Sequence, residues 1–162
     1  MTVRAAMPDD TEGILAVAQA SWETDYPTIL SRETVSAGVA DWYDPATIRG
    51  ELERTDTVML VKTDDGAVEG FVHALWNHDE GDILRLYVHP DARRSGVGTA
   101  LLQSAVNELF DRGVDLVRAM VLKDNNLGNS FYEDYGFSLE SESETYIGGE
   151  PYPESVYVLH RH

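Results

Sequence analysis

The sequence predicts an α/β (α+β) fold built around a mixed sheet, and three features of the chain support this prediction. Two strand-like segments, 57–62 and 68–76, flank a turn signal at 64–66 and so predict a β-hairpin. An apolar run at 83–88 is followed directly by apolar residues at helical spacing. A further strand-like run at 114–122 completes a strand–helix–strand unit, which predicts a right-handed crossover between two parallel strands.

The elements that precede the hairpin are a short strand, a helix and a region rich in aromatic residues. The strand is predicted at 3–6, and the helix begins with Asp9 or Asp10 as its N-cap. The apolar face of this helix consists of Ile14, Leu15, Val17 and Ala18. Between 21 and 56 we expect two or three short helices, punctuated by two prolines.

The second half of the chain adds further helices and strands. The helix that starts near Gly98 ends at Gly113, because glycine favours the position just after a helix. One helix and two strands follow, near 127–135, 137–146 and 154–160. Residues 77–82 are expected to form a polar loop. The loop between the last two strands is expected to contain Gly148, Gly149, Pro151 and Pro153.

Length and composition are those of one globular domain. The 162 residues suffice for one core and are too few for two, so we expect 1–162 to be a single domain. No apolar run approaches the roughly 18 residues of a membrane span, and no secretory leader pattern opens the sequence. The absence of cysteine excludes disulfides and thiol catalysis, and the five histidines lack the paired spacing of a metal site. We therefore expect a cytoplasmic protein with no metal and no membrane contact.

The chain is strongly acidic. Its formal charge is −17, its pI is near 4.4, and of its 12 basic residues only Lys62 and Lys123 are lysines. The acidic residues are spread along the chain instead of forming blocks. This pattern favours a halophile-like surface adapted to concentrated salt over a surface dedicated to a cationic partner. The charge also argues against nucleic-acid binding.

The turn between the strand at 83–88 and the next helix has the composition of a phosphate-binding turn. It consists of Arg93-Arg94-Ser95-Gly96-Val97-Gly98. The first N–H groups of a helix have no intrahelical partner and lie at the positive end of the helix dipole. The two glycines let an anion approach this backbone, and the two arginines add positive charge. The alternative is a tight strand-to-helix turn without a ligand.

Two better-known phosphate loops do not fit this turn. A Walker loop needs a lysine before Ser or Thr, and the turn has none. The dinucleotide fingerprint needs Gly or Ala where Leu101 stands. It also opens the first strand–helix unit of its domain, whereas these glycines lie past the middle of the chain. The turn therefore predicts a phosphate or pyrophosphate site of another kind.

Two blocks of the sequence resemble the GCN5-related N-acetyltransferase (GNAT) family. The first, 86–102, is similar to the acetyl-CoA signature, whose pyrophosphate loop Arg/Gln-x-x-Gly-x-Gly/Ala is matched by Arg93, Gly96 and Gly98. The second, 125–137, is similar to the family's Asn-x-x-Ala-x-x-Phe-Tyr-Glu-x-x-Gly-Phe element, with Gly128 in place of the usual Ala. The resemblance implies a GNAT-like mixed, mostly antiparallel twisted sheet with a splayed central parallel strand pair and helices on both faces.

The resemblance also implies that acetyl-CoA is the cofactor and lies between the two splayed strands. Its pantetheine arm would hydrogen-bond to the backbone of Leu86, Tyr87 and Val88, as to the edge of a sheet, and to Asn125. Its pyrophosphate would bind the turn at the start of the helix. The residues implied there are Arg93, Arg94, Ser95, Gly96, Val97, Gly98 and Thr99.

By the same resemblance, Tyr132 is the general acid that protonates the departing thiolate; the alternative is a tyrosine that only packs in the core. A tyrosine with a pKa of about 10 suits a thiolate of about 8.5 only with help from the site, for instance from a helix N-terminus. The family does not imply which group takes the proton from the amine. The candidates are Glu80, Asp82, His73, His78 or a water molecule.

The acceptor site is expected around aromatic residues. Trp22 and Tyr26, four residues apart on a helix, are the best pair for its wall, and Tyr146 and Glu150 could enter it from the last hairpin. The acceptor is expected to be a small-molecule, polyamine or peptide amine, and a homodimer is one candidate assembly.

Two functions from different classes compete. The first is an acetyl-CoA-dependent N-acetyltransferase in which a primary amine attacks directly in a ternary complex. The second is a non-catalytic sensor or regulator that binds acyl-CoA. Tyr132 favours the enzyme, because a sensor needs no proton donor for a thiolate.

Overall fold

The strands of the protein form one mixed sheet. The computed structural model describes residues 2–25, 46, 50, 57–77, 79–93, 96–147 and 149–161. Within these ranges the strands are β1 (Thr2–Ala5), β2 (Thr57–Asp64), β3 (Ala67–Trp76), β4 (Glu80–Val88), β5 (Leu116–Leu122), β6 (Ser138–Ile147) and β7 (Glu150–His160). Their order across the sheet is β1-β2-β3-β4-β5-β7-β6. All neighbours are antiparallel except β4 and β5, which run parallel, so the predicted sheet is confirmed.

Helices cover both faces of this sheet, as predicted. The described helices are α1 (Thr11–Asp25), α2 (Val97–Asp111) and α3 (Asn126–Tyr135). Consecutive residues of β2 enter different cores: Leu60 packs in the cluster of α2, whereas Met59 and Val61 pack in the cluster of α1. This is the alternation expected of strand side chains. None of the described helices combines the length and the apolar character needed to cross a membrane.

The chain enters α1 in a way that differs from the prediction. A short 3-10 turn, Pro8–Asp10, precedes the helix, and its N-cap is Met7. The Asp10 carboxylate accepts the Met7 N–H at 2.8 Å and pairs with the Arg4 guanidinium at 2.8 Å, which holds the pKa of that carboxyl below its usual range. The prediction of an aspartate N-cap is therefore wrong, because this carboxylate is bonded back toward β1.

Two loop predictions are also wrong. β4 begins at Glu80, inside the expected polar loop, and Pro151 and Pro153 lie within β7. Proline cannot donate a hydrogen bond to a neighbouring strand, so it is tolerated only where a strand has an open side. Pairing of β7 with β5 begins at Glu154, and both prolines precede this point.

The parallel strands β4 and β5 pair over only part of their length. Their register ends at Ile83 and Ala119, although each strand continues beyond that point. On the other side of β4, the register with β3 shifts between Ile83 and Arg85, which leaves Leu84 as the extra residue of a β-bulge. Because a bulge bends its strand, β4 leaves β5 where their ladder stops. The splayed pair is therefore produced by an irregularity of one residue.

We predict that Leu101→Ala lowers the free energy of unfolding by about 2–5 kcal/mol. Leu101 lies on α2 and is fully buried against the sheet that carries the splayed pair, so the substitution leaves a cavity. Urea denaturation followed by circular dichroism measures the change. Leu139→Ala, on β6 with 54% of its residue exposed, is the control and should cost below about 0.5 kcal/mol. Equal losses for the two variants would contradict this account of the core.

Candidate active site

A cleft of about 750 Å³ opens between β4 and β5 where the two strands part. It is lined by β4 beyond the bulge, the end of β5, the start of α2 and one side of α3. Its described polar lining residues are Arg85, Arg93, Thr99, Asn125, Thr145 and Glu154. Ligands of open sheets bind at the carboxyl ends of parallel strands, and this is where the cleft lies. Both sequence blocks therefore meet at one cleft.

Past the bulge, β4 turns some of its backbone toward the cleft. The His89 N–H donates to the Glu69 carbonyl of the neighbouring chain segment at 2.7 Å. Hydrogen-bonded positions alternate along an antiparallel pair, so the backbone of Tyr87 faces β3. The backbone groups of Leu86 and Val88 then face away from β3, toward the cleft. Of the three residues predicted to present their backbone, Tyr87 pairs with Phe71 of β3, although it is still among the residues that line the cleft.

The carbonyl of Val88 ties three elements together at the start of the turn. It accepts the Ser21 hydroxyl of α1 at 3.1 Å and the Arg93 Nε at 3.3 Å. This oxygen therefore already has two donors, which leaves Leu86 and the Val88 N–H as the groups of β4 that a ligand can use. Arg93 lines the cleft, whereas Arg94 and Ser95 lie outside the described residues.

The start of α2 offers to the cleft backbone donors that have no partner among the described residues. Gly96 is the N-cap residue, with a φ of +83° that favours glycine. The first helical hydrogen bond runs from the Ala100 N–H to the Gly96 carbonyl at 3.0 Å. The N–H groups of Val97, Gly98 and Thr99 therefore precede the helical ladder, and all three residues line the cleft. These donors fit an anionic group such as a pyrophosphate.

The other side of the cleft is formed by the N-terminus of α3. Asn125 is its N-cap, and the Asn125 Oδ1 accepts the Gly128 N–H at 3.1 Å. A Cβ added to Gly128 would lie 2.9 Å from both the Asn125 Nδ2 and the Val121 Cγ1. This contact is closer than packed atoms allow, which explains why glycine replaces the alanine usual in the resembled motif. Asn125 lines the cleft with its oxygen used for capping, so it can offer its Nδ2 amide to a ligand.

Tyr132 lies on α3, lines the cleft and is only 7% exposed. Its ring centroid is 5.3 Å from those of Phe131 and Phe137 and 6.2 Å from that of Tyr157, on which it stacks. Burial, with a smaller contribution from Tyr87, raises the pKa of Tyr132 above its ordinary value. Tyr132 lies nearly two turns into α3, away from the N-terminus of its own helix, whereas the start of α2 lines the same cleft. At neutral pH the hydroxyl is a hydrogen-bond donor that keeps its proton.

Tyr157 holds the ring of Tyr132 in place, and sequence patterns did not single it out. Its hydroxyl lies 2.7 Å from the Asn129 Oδ1 and 3.0 Å from the Glu133 Oε1, and its single proton can be donated to either oxygen. Asn129 in turn donates to the Leu122 carbonyl at 3.1 Å, which fixes α3 to the end of β5. Burial, followed by Glu133, raises the pKa of Tyr157 to about 12. A tyrosine in a strand carries no sequence signal of such a role.

The residues predicted for the acceptor wall are only partly brought together. Trp22 is buried on α1 and lines the cleft. Tyr26 lies outside the described residues. Tyr146 is 61% exposed and does not line the cleft, whereas its neighbours Thr145 and Ile147 do. Alternate residues of a strand face opposite sides of the sheet, so Tyr146 faces away.

The carboxylates suggested as bases are not among the described residues that line the cleft. Glu80 and Asp82 stand at the start of β4, in the part that pairs with β5. Glu80 is held by the Arg118 guanidinium at 2.9 Å. Burial raises the pKa of Asp82, an effect that Arg118 opposes. Neither lines the cleft, and neither does Glu150, which accepts the Tyr152 hydroxyl at 2.9 Å.

The histidines suggested as bases are not brought to the cleft either. His73 is 1% exposed on β3 and does not line the cleft. Its Nδ1 lies 3.4 Å from the Arg85 guanidinium. His78 lies outside the described residues. Two charged residues of the lining, Arg85 and Glu154, were not among the sequence candidates, because their strands give no motif that marks them.

The fold and the cleft together define a class of protein. Central parallel strands that part beside the N–H groups at the start of α2, with a buried tyrosine on the opposite wall, form a cleft with the shape and donors to hold a nucleotide thioester. The model of the acetyltransferase (GNAT) family matches residues 15–137. The chain therefore belongs to the GNAT family. It is an N-acyltransferase whose donor is acetyl-CoA, and it transfers the acetyl group to an amine.

Known relatives and solved structures agree with this assignment. The chain is 28% identical over 142 residues to a spermidine N(1)-acetyltransferase of Thermoplasma acidophilum, over 85% of this chain and 88% of that protein. The structure of PaiA N-acetyltransferase from Thermoplasma acidophilum in complex with coenzyme A matches with a TM-score of 0.84 and 26% identity, over 95% and 96% of the two chains. A GCN5-related N-acetyltransferase from Rhodopseudomonas palustris matches with a TM-score of 0.84 and 25% identity, over 99% and 95%.

We predict that Gly96→Ala weakens CoA binding at least about tenfold, whereas Gly66→Ala leaves it unchanged. The two glycines have nearly the same φ, 83° and 82°, so each alanine carries a similar backbone strain of about 1 kcal/mol. Gly96 lines the cleft, whereas Gly66 lies in the β2–β3 turn with open space around it. Isothermal titration with CoA measures both affinities. Equal CoA affinities for the two variants would show that the turn before α2 is not part of the CoA-binding site.

Proposed function

We propose that this protein acetylates a primary amine of a small, aliphatic, polyamine-like acceptor by direct attack in a ternary complex. The observation that carries the proposal is the single cleft in which the α2 turn, the β4 edge, Asn125 and Tyr132 all meet. Direct transfer is supported by the absence of cysteine, which rules out an acetyl-thiol enzyme.

Different described residues of the cleft suit different parts of the acetyl-CoA donor. The N–H groups of Val97, Gly98 and Thr99, with Arg93 beside them, suit the pyrophosphate, and we assign Arg94 and Ser95 to the same turn by their place in the motif. Leu86 and the Val88 N–H suit the amides of the pantetheine arm, as an added strand would. The Asn125 amide would bond the arm from the other wall. When bound, acetyl-CoA supplies the acetyl group as a reactive thioester.

Tyr132 is the proposed proton donor to the departing sulfur. As the C–N bond forms and the C–S bond breaks, negative charge develops on the sulfur, and a phenol aimed at it can donate a hydrogen bond and then a proton. The raised pKa keeps this phenol neutral at physiological pH. A phenol is a weaker acid than a thiol, so the donation is driven by the charge on the sulfur and is completed when solvent reprotonates the tyrosine.

Two features support a polyamine-like acceptor. The relative from Thermoplasma acidophilum is a spermidine N(1)-acetyltransferase. The formal charge of −17 attracts polycations and raises their local concentration. We assign Trp22 to the acceptor wall from its place in the cleft, and Tyr26 from its place in the sequence. A single domain over 1–162, a cytoplasmic location, a homodimer and an acidic surface that reflects salt adaptation stay predictions.

We predict that Tyr132→Phe lowers kcat about 10²-fold or more while the Kd for CoA changes less than about threefold. The change removes the hydroxyl and keeps the ring that packs on Phe137 and Tyr157. Steady-state kinetics with release of the CoA thiol, together with CoA titration, measures the two effects. Tyr135→Phe, on the same helix but outside the cleft lining, is the matched control. A fully active Tyr132 variant would exclude the residue from the reaction.

We predict that the purified protein releases CoA thiol from acetyl-CoA with spermidine or short diamines as acceptors. Uncharged amines and peptides with a free N-terminus complete the panel and test the acceptor class. CoA binding without turnover on any amine would favour the sensor over the enzyme. Turnover with peptides alone would support the assignment as an enzyme and contradict the proposal that the acceptor is polyamine-like.

A further inference from the structure

We infer that Glu154 binds the amino group of the acceptor and takes its proton as the C–N bond forms. This inference deepens the proposed function and rests on it. Among the described residues that line the cleft, Glu154 is the one carboxylate. No sequence motif marks it, since it stands in β7 outside both blocks.

The strand register places Glu154 beside the carboxyl end of β5, where the cleft lies. It pairs with Leu122, the last residue of β5, three residues before Asn125. The Lys123 N–H donates to the Pro153 carbonyl at 2.9 Å, so the β7 backbone is bound to the segment that leads into α3. Glu154 is therefore carried by a sheet position that is fixed relative to the helix bearing Tyr132.

The surroundings of Glu154 suit an alkylammonium group. It is half-buried, and the described cleft lining on the α1 side of the sheet includes four apolar residues. These apolar residues are Trp22, Met120, Leu122 and Ile147. A methylene chain can lie against such a surface while its terminal ammonium reaches the carboxylate, and a half-buried site weakens the screening of this attraction by water.

The carboxylate is oriented by a hydrogen bond from the neighbouring strand. The Ser143 hydroxyl of β6 donates to the Glu154 Oε1 at 2.8 Å. Among the described residues, this is the hydrogen bond that the carboxylate receives, and it forms no ion pair with a described lysine or arginine. One oxygen is thus fixed by Ser143, and the other can meet a positively charged amine.

Other described groups of the cleft cannot take this role. Arg85 is permanently charged and has no lone pair to accept a proton. Thr145 and Thr99 are neutral hydroxyls. The buried His73 and the ion-paired Glu80 do not line the cleft. Of all these described groups, Glu154 is the one that lines the cleft, carries a negative charge and can accept a proton.

The proton and bond changes balance with Glu154 in this role. The bound alkylammonium first loses one proton to solvent, because an ammonium has no lone pair with which to attack. The neutral amine nitrogen then forms a bond to the acetyl carbon, and the bond from that carbon to sulfur breaks. The nitrogen becomes positively charged as it attacks, so its N–H turns acidic enough for a carboxylate to accept the proton. Tyr132 protonates the sulfur, and solvent resets both side chains.

The test compares Glu154→Gln with wild type on two acceptors, propane-1,3-diamine and 2,2,2-trifluoroethylamine. The diamine is protonated at neutral pH and needs a carboxylate to hold it, whereas the fluorinated amine is largely neutral. The CF3 group also makes the N–H of the attacking nitrogen acidic enough to lose its proton to water, so this acceptor depends less on Glu154 in both of its roles. We expect kcat/KM for the diamine to fall about 10²-fold or more, and for the fluorinated amine to fall less than about tenfold. Equal losses would show a merely structural effect and overturn the inference.

Three further variants distinguish the effect of losing the Glu154 charge from the effect of changing the position of its carboxylate. Glu144→Gln, on β6 beside Ser143 but facing the other side of the sheet, removes the same charge and should leave both rates unchanged. Glu154→Asp should recover part of the diamine activity. Ser143→Ala should lower kcat for the diamine about two- to tenfold, as expected of a positioning residue.

A binding measurement keeps this inference distinct from the proposed function. Titration of CoA-bound protein with propane-1,3-diamine should show at least about tenfold weaker binding for Glu154→Gln. Equal affinity would overturn the inference even if the wild type is active. A wild type that turns over no amine would overturn the proposed function, while a loss of diamine binding in the variant would still support Glu154 as the amine-binding group.

Discussion

The cleft of this protein depends on a hydrogen-bond ladder that stops early. β4 and β5 pair only as far as Ile83 and Ala119, and the bulge at Leu84 bends β4 away just beyond. A regular parallel pair would bring these strands to the usual spacing of about 4.8 Å and leave no cleft. The backbone groups that the sheet leaves unpaired are the ones directed at the cleft, so one irregularity creates both the space and the donors that line it.

The same region departs from the charge of the rest of the molecule. The protein carries a formal charge of −17, yet the described cleft lining contains Arg85 and Arg93 against a single carboxylate, Glu154. With the N–H groups at the start of α2, this makes the cleft a local exception suited to a polyanionic donor. The cleft therefore suits the negatively charged donor, whereas the acidic exterior and Glu154 suit a positively charged acceptor.

The sequence predicted much of the fold because its signals are local. The Asp65-Gly66 turn, the Gly96 helix start and the two motif blocks each depend on neighbours in the chain. The residues that it missed act through pairing between distant segments. Glu154 meets the cleft only because it pairs with Leu122, and Tyr157 supports Tyr132 only across the gap between β7 and α3. The bulge at Leu84 could not be predicted either, because one extra residue does not change the apolar composition of the run at 83–88.

The outer strand β6 has a consequence for how copies of this protein meet. Its solvent-facing run carries Glu140, Glu142 and Glu144, all exposed, along an open edge of the described sheet. An approaching edge from a second copy would have to bring like charges within the spacing of adjacent strands, about 4.8 Å. In dilute buffer this repulsion discourages strand-to-strand aggregation. At about 1 M salt the Debye length falls to about 3 Å, so protection of this edge then depends on the tight hydration of the carboxylates instead of on repulsion.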